Sequence, residues 1–134
     1  MLTRLFIQNY VIIDELDIRF PEKLNVITGE TGAGKSIIAG ALGLILGERA
    51  DISALLNKEK KSVIEGVFAV SGKKAVKQYL QQHELDELEE LTIRREIAAN
   101  GKSRAFINDT PVTLSQLQEL SSLLVDLHQQ FDTL

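Results

Sequence analysis

A glycine-rich segment of eight residues carries the clearest chemistry in this chain of 134 residues. It reads GETGAGKS and consists of Gly29, Glu30, Thr31, Gly32, Ala33, Gly34, Lys35 and Ser36. The spacing fits G-x-x-x-x-G-K-[ST], in which glycines let backbone N–H groups approach phosphate oxygens closely. Lys35 would place its charge beside the β- and γ-phosphates, and Ser36 would offer a hydroxyl to Mg²⁺. The segment therefore predicts a nucleotide-binding site that uses Mg²⁺.

The segments on either side of this loop come in the order that such a site needs. Residues 24–28 are a short apolar run that predicts a buried strand, and the residues after the loop predict a helix to about Leu46. That helix is apolar nearly all round, so we expect it to be buried on several sides and to stop at Gly47. Its positive N-terminal end would face the phosphates.

The rest of the chain predicts a mixture of strands and helices. Loose alternation over residues 2–20 predicts two strands joined by a bend, and residues 48–62 predict a lysine-rich loop with one helical turn. Thr113, with Gln116 three residues later, predicts a capping box at the start of a helix. The other predicted elements are strands at 62–70, 91–98, 103–107 and 123–127, a helix at 72–83 with Ala75, Val76, Tyr79 and Leu80 on one face, an acidic turn at 86–90, and turns at Asn100-Gly101 and Asn108-Asp109.

The class of nucleotide protein depends on acidic residues elsewhere. A GTPase would need an N/T-K-x-D segment to read the base, whereas residues 57–60 read NKEK and predict a solvated loop. A hydrolysing site needs an acid at a strand end to hold Mg²⁺, and Asp126 is the candidate, although no second acid follows it. Two alternatives therefore stay open: a small kinase that uses Asp126 as its metal acid, and a phosphate-loop module without enzymatic activity. The loop at 48–62 has one arginine, Arg49, where kinases usually carry an arginine-rich lid.

Composition limits the remaining classes. The chain has no cysteine and two histidines, which excludes disulfides and thiolate metal sites and disfavours a histidine-rich one. The longest apolar run, residues 37–47, is shorter than the roughly 20 residues of a membrane span, and no secretory signal is visible, so we expect one cytoplasmic domain. A net charge of −4 gives no overall attraction to nucleic acid. Seven basic residues scattered among acids predict solvated surface: Lys73, Lys74, Lys77, Arg94, Arg95, Lys102 and Arg104.

Several blocks together resemble the RecN family, bacterial DNA-repair ATPases of the SMC-like branch of ABC ATPases. The opening LTRLFIQNYVIIDELDIRF, the stretch LNVITGETGAGKSIIAGALGLILGERAD, the block GKSRAFINDTPVTLSQLQEL and the final LLVDLHQQFDTL carry the resemblance, which covers essentially the whole chain. The phosphate loop by itself is not specific, but its combination with the GERAD and SRAFIND blocks is.

The resemblance implies a split ATPase head. Residues 1–134 would be its N-terminal lobe, an α/β P-loop core with an antiparallel β subdomain, and the coiled coil and C-terminal lobe would lie outside the chain. No LSGGE-like signature and no apolar strand ending in Asp-Glu occurs in the sequence. The resemblance places a Q-loop glutamine at Gln130, which would join Ser36 around Mg²⁺, while Gln129 stands where the family usually has glycine. A second departure from the family pattern lies near Leu56, where relatives often carry an arginine that is linked to nucleotide or DNA sensing.

The same resemblance supplies the expected partners. ATP and Mg²⁺ would be the cofactors, and ATP would drive engagement with a second head on DNA in the repair of double-strand breaks. The chain's own C-terminal lobe would complete each head, no membrane would be involved, and the location would be the bacterial cytoplasm at the nucleoid. We expect this segment to be inactive as an ATPase by itself.

Overall fold

In the part of the chain that the structure describes, six antiparallel strands form a sheet on which the helices pack. The computed structural model describes residues 1–20, 32–87 and 89–124, with side chains from residue 36 onward in the second range. The strands are β1 (Leu2–Tyr10), β2 (Ile13–Arg19), β3 (Ser62–Ala69), β4 (Glu90–Ile97), β5 (Ser103–Ile107) and β6 (Thr110–Val112). The helices are α1 (Gly32–Ile45), α2 (Lys74–Gln82) and α3 (Leu114–Ser121), with a short 3₁₀ turn at Ile52–Ala54.

The strand order is β2-β1-β3-β4-β5-β6, so β3 and β4 are central. Their register pairs Gly66 with Ile93 and with Leu5 of β1, which places these three residues on one face. Helix α1 lies on that face, because a Cβ added at Gly66 would be 2.9 Å from Ile45 Cδ1. The absence of a side chain at Gly66 thus lets α1 approach the centre of the sheet closely.

The helix-covered face holds the hydrophobic core. Alternate residues of β4, namely Leu91, Ile93 and Ile97, are at most 1% exposed and belong to the same apolar cluster as Ile45 of α1 and Leu120 of α3. The alternation follows from the pleat, which points successive side chains to opposite faces. The core therefore ties the helix that begins in the phosphate loop to the centre of the sheet.

The opposite face of the sheet is polar and held by ion pairs. Arg94 Nη1 lies 2.8 Å from Asp109 Oδ1, and the guanidinium carbon lies 4.3 Å from the centroid of the Phe106 ring. The guanidinium of Arg4 donates two hydrogen bonds to the carboxylate of Asp17 in a bidentate ion pair, and these hydrogen bonds lower the pKa of Asp17. Such exposed pairs contribute little to stability, but they fix the positions of side chains on this face.

The lysine-rich loop after α1 is held against the β1–β2 turn by a buried asparagine. Asn9 is 4% exposed, and its Nδ2 donates to the carbonyls of Asn57, Lys60 and Lys61 at 3.0–3.2 Å. The N–H of Asn57 donates back to Asn9 Oδ1 at 2.7 Å. The loop is thus fixed by its backbone, while its charged side chains stay in solvent, as predicted for residues 57–60.

Most predicted elements are confirmed, including both N-terminal strands, the hairpin at Asn100-Gly101 and the capping box of Thr113 and Gln116. Strand β6, which follows the turn at Asn108-Asp109, was not predicted, because a three-residue strand containing proline gives no alternation to detect. Ala75 is exposed rather than part of the buried face of α2, since it lies about 100° around the helix from Val76.

The strand predicted at 123–127 is wrong in the part that the structure describes. Leu123 and Leu124 continue α3 as a turn, with their N–H groups donating to the carbonyls of Leu120 and Ser121. Leu117, Leu120 and Leu124 are all buried, which is the spacing of a helix face rather than of a strand. Residues 125–127, like the strand predicted at 24–28, lie outside the described residues.

In the described ranges, no helix has both the length and the apolar character that crossing a bilayer requires.

Candidate nucleotide-binding site

Helix α1 begins inside the predicted phosphate loop, at Gly32. Its first turn contains no acidic residue, so no carboxylate of that turn competes for the backbone N–H groups that a helix leaves unpaired at its start. Ser36 follows immediately and is exposed. A helix start of this kind combines free N–H donors with a positive dipole end, which suits an anionic phosphate.

The predicted surroundings of α1 are confirmed for its C-terminal half. Ala41, Leu42, Leu44 and Ile45 are each at most 6% exposed, whereas residues 36–40 are exposed or partly buried. This arrangement anchors the C-terminal end of the helix in the core and leaves Ser36 exposed.

The C-terminal end of α1 closes in a tight hydrogen-bonded turn. Gly47 has a φ of +104°, and the N–H of Glu48 donates to the carbonyl of Gly43 at 3.0 Å while the N–H of Gly47 donates to that of Leu44 at 3.2 Å. This is the Schellman arrangement, in which glycine takes the left-handed position that ends the helix. The helix stop predicted at Gly47 is confirmed, and its chemistry is that of a glycine C-cap.

Arg95 of β4 binds this helix end from the core. Its Nη1 donates to the carbonyl oxygens of Leu44 at 2.7 Å and Glu48 at 2.8 Å, and its Nη2 donates to Ser103 Oγ at 2.7 Å. Arg95 is 1% exposed, and burial lowers the pKa of its guanidinium. The prediction that Arg95 is solvated surface is therefore wrong: the alternation in LTIRREI puts position 95 on the same face as Leu91 and Ile93.

The other basic positions behave largely as predicted. Lys74, Lys77, Lys102 and Arg104 are exposed, and Lys73 is partly exposed. Arg94 is an exception, because it is 22% exposed and surrounded by the acids of the polar sheet face. These positions do not form a continuous basic stripe, since Arg94 is engaged by Glu65, Glu96 and Asp109 and Arg95 is buried.

The predicted metal-site residues differ in what the structure says of them. Ser36 is at the helix start, whereas Asp126, Gln129 and Gln130 lie outside the described residues, as do residues 29–31 and the side chains of 32–35. In the described ranges no group of three histidine or acidic side chains is placed to hold a metal ion. Mg²⁺ bound together with ATP fits this arrangement, because the phosphates supply most of its ligands and an exposed hydroxyl can add one.

Comparison with known proteins identifies the family. A model of the AAA domain matches residues 4–134. The chain is 42% identical over 130 residues to the DNA repair protein RecN of Vibrio cholerae and 39% identical over 133 residues to that of Bacillus subtilis. These matches cover 97% and 98% of this chain but only 24% and 23% of the relatives, so the chain spans about a quarter of their length.

Solved structures show the same fold at lower identity. A chain from a study titled "Structural biochemistry of ATP-driven dimerization and DNA stimulated activation of SMC ATPases" aligns with a TM-score of 0.71 at 17% identity, covering 92% of this chain and 79% of that one. The recombination mediator RecF aligns with a TM-score of 0.65 at 18% identity over 87% of this chain and 29% of its own. The α/β fold of a P-loop ATPase head with an antiparallel sheet is thus confirmed, and this chain belongs to the family of AAA domains.

Proposed function

We propose that this chain is the ATP-binding segment of a RecN-like ATPase head that acts in DNA repair. The observation that carries the proposal is the GETGAGKS segment leading into α1, a helix whose first turn contains no acidic residue and whose C-terminal half is buried. The match to RecN relatives over nearly the whole chain supports the repair context. The fold shared with SMC heads does not favour the kinase alternative.

The proposed cycle assigns to this chain the binding of ATP with Mg²⁺. The backbone of residues 29–34 and Lys35 would bind the phosphates, and Ser36 together with Gln130 would complete the Mg²⁺ shell. A second lobe and a second head would then close over the nucleotide, and DNA would be the substrate of the assembled protein. We place this protein in the bacterial cytoplasm, at the nucleoid, on the strength of its RecN relatives.

Titration calorimetry with adenosine, ADP and ATP tests the phosphate-binding role. We expect ATP and ADP to bind in the presence of Mg²⁺ and adenosine to bind at least about tenfold more weakly, because a phosphate loop contacts the phosphates and not the base. Equal affinity for adenosine and ATP would contradict the proposal. It would favour a role of the chain as an association module.

Ser36→Ala tests the proposed Mg²⁺ contact. The exposed hydroxyl of Ser36 is at the helix start, and its removal should weaken ATP binding in Mg²⁺ by about fivefold while changing binding in excess EDTA little. Ser122→Ala, which removes a hydroxyl bonded to Glu119 at the far end of α3, is the matched control. A loss that is equal with and without Mg²⁺ would place Ser36 on the phosphates instead of the metal.

Hydrolysis is expected to require a second polypeptide segment. Phosphoryl transfer depends on charges placed around the γ-phosphate, and groups supplied by another segment can contribute about 10³-fold or more. We expect phosphate release by this chain to rise by that order when it is mixed with the part of Vibrio cholerae RecN that it does not match. Rapid Mg²⁺-dependent hydrolysis by this chain in isolation, lost in Lys35→Ala, would instead favour the alternative of a small kinase that uses Asp126 as its metal acid.

A further inference from the structure

The buried guanidinium of Arg95 has no acidic partner among the described residues. Its hydrogen bonds go to two backbone carbonyls and one hydroxyl, and its Nε has no partner. Burying a charge is costly unless it is compensated, and an apolar side chain of similar length would avoid that cost. The presence of an arginine at this position therefore requires an explanation other than packing in the core.

The compensation comes from the end of helix α1. The last carbonyls of a helix together carry about half a negative charge, and Leu44, in the last turn of α1, offers its carbonyl to Arg95 at 2.7 Å. The carbonyl of Glu48, just beyond the glycine cap, adds a second acceptor at 2.8 Å. Ser103 of the β4–β5 hairpin holds the other arm of the guanidinium at 2.7 Å. The arginine thus joins the end of α1 to two neighbouring strands of the sheet.

Hydrogen bonds of this kind fix the position of α1 along its own axis, which apolar packing restrains less. The contacts of Ala41 and Ile45 resist separation of the helix from the sheet, but they resist sliding along its axis less, because the hydrophobic effect has no direction. Three short bonds of one planar group set the axial position of the helix end. Leu44 is eight residues from Ser36, or about 12 Å along the same helix.

We infer that Arg95 is a positioning residue of the nucleotide site, which fixes the axial position of α1 from its buried end and thereby aligns the phosphate-binding start of the helix. The inference rests on the proposed binding of ATP. Arg95 would touch neither the nucleotide nor the metal, and its effect would pass through the rigid helix. Ser103 would share the effect, because it orients the guanidinium.

The test compares ATP affinity among variants of the full chain that remain folded, as checked by circular dichroism. Arg95→Met keeps the length of the side chain and should raise the Kd for Mg·ATP about tenfold, the usual size of coupling between separated sites. Arg95→Lys keeps the charge and can bond one carbonyl, so it should recover only part of that loss and remain weaker in ATP binding than Ser103→Ala. Ser103→Ala should raise the Kd about threefold, since it removes one of the three bonds.

Val76→Ala is the control for general loosening of the core. Val76 is 1% exposed on α2, and its truncation should lower the thermal midpoint without changing the Kd for ATP, when both are measured well below the midpoints. Unchanged affinity in Arg95→Met would overturn the inference, and so would an equal loss in Val76→Ala at the same stability. If Arg95→Met does not fold, Ser103→Ala decides by the same criteria. Failure of the unmodified chain to bind ATP would refute the proposed function itself and the inference with it.

Discussion

We expect the replacement of Lys35 with Ala to lower the affinity for Mg·ATP by about 10- to 150-fold. The lysine follows the last glycine of the loop, at the position whose ammonium group reaches the β- and γ-phosphates. A hydrogen bond to a charged group contributes about 1.5–3 kcal/mol, which converts to that range of affinity. ADP binding should fall less, because the γ-phosphate contact is absent there. Calorimetry or displacement of a fluorescent ATP analogue measures both.

The matched control is Lys102→Ala. It removes the same charge from an exposed position in the β4–β5 turn, so a general electrostatic effect on ATP would appear in both variants. We expect its Kd for ATP to stay within about twofold of that of the unmodified chain at physiological salt. Equal affinity of Lys35→Ala and the unmodified chain would exclude the phosphate-loop role, whatever the control shows.

Local sequence patterns predicted the three helices and the longer strands of the described residues, and they failed at the end of α3. Strand β4 could be predicted because its apolar alternation is long, and strand β3 because it is a short apolar run rich in β-branched residues. The turn at Gly101, with a φ of +91°, could be predicted because Asn-Gly favours such a turn. The turn after α3 could not, because LLVDL is apolar without a clear period and reads equally as a strand. Tertiary packing of Leu124 against the core decided between the two.

The candidate site shows the same division. The chemistry of residues 29–36 follows from residue types and spacing, because the loop's function is local to eight consecutive residues. The role of Arg95 depends on Leu44, Glu48 and Ser103, which lie far from it or across a hairpin in sequence. The signal was present, because alternation assigns position 95 to the buried face, but the charge of arginine argued for the surface. A basic residue in a buried register is thus a feature worth testing in other strands.

Gly47 supports the same helix end, and its substitution should have the largest effect on stability. A Cβ at this position would be 2.5 Å from Gln118 Cγ and 3.3 Å from the Gln118 backbone, so the Gln118 side chain would have to change position and α3 would have to shift slightly. That movement would also break the bond from Gln118 Nε2 to the carbonyl of Gly47, now 2.9 Å long. The φ of +104° adds the strain of a left-handed backbone.

Gly72 separates these contributions, because its φ of +83° is also left-handed but nothing lies within 4 Å of an added Cβ. We expect Gly72→Ala to lower the free energy of unfolding by about 1 kcal/mol, from backbone strain only. Gly47→Ala should lower it by about 3–4 kcal/mol, since overpacking and the lost hydrogen bond add to the same strain. Urea unfolding followed by circular dichroism measures both. Equal losses in the two variants would mean that α3 adjusts at Gln118 without cost. The contacts of Arg95 and Gln118 would then not fix the end of α1 between β4 and α3.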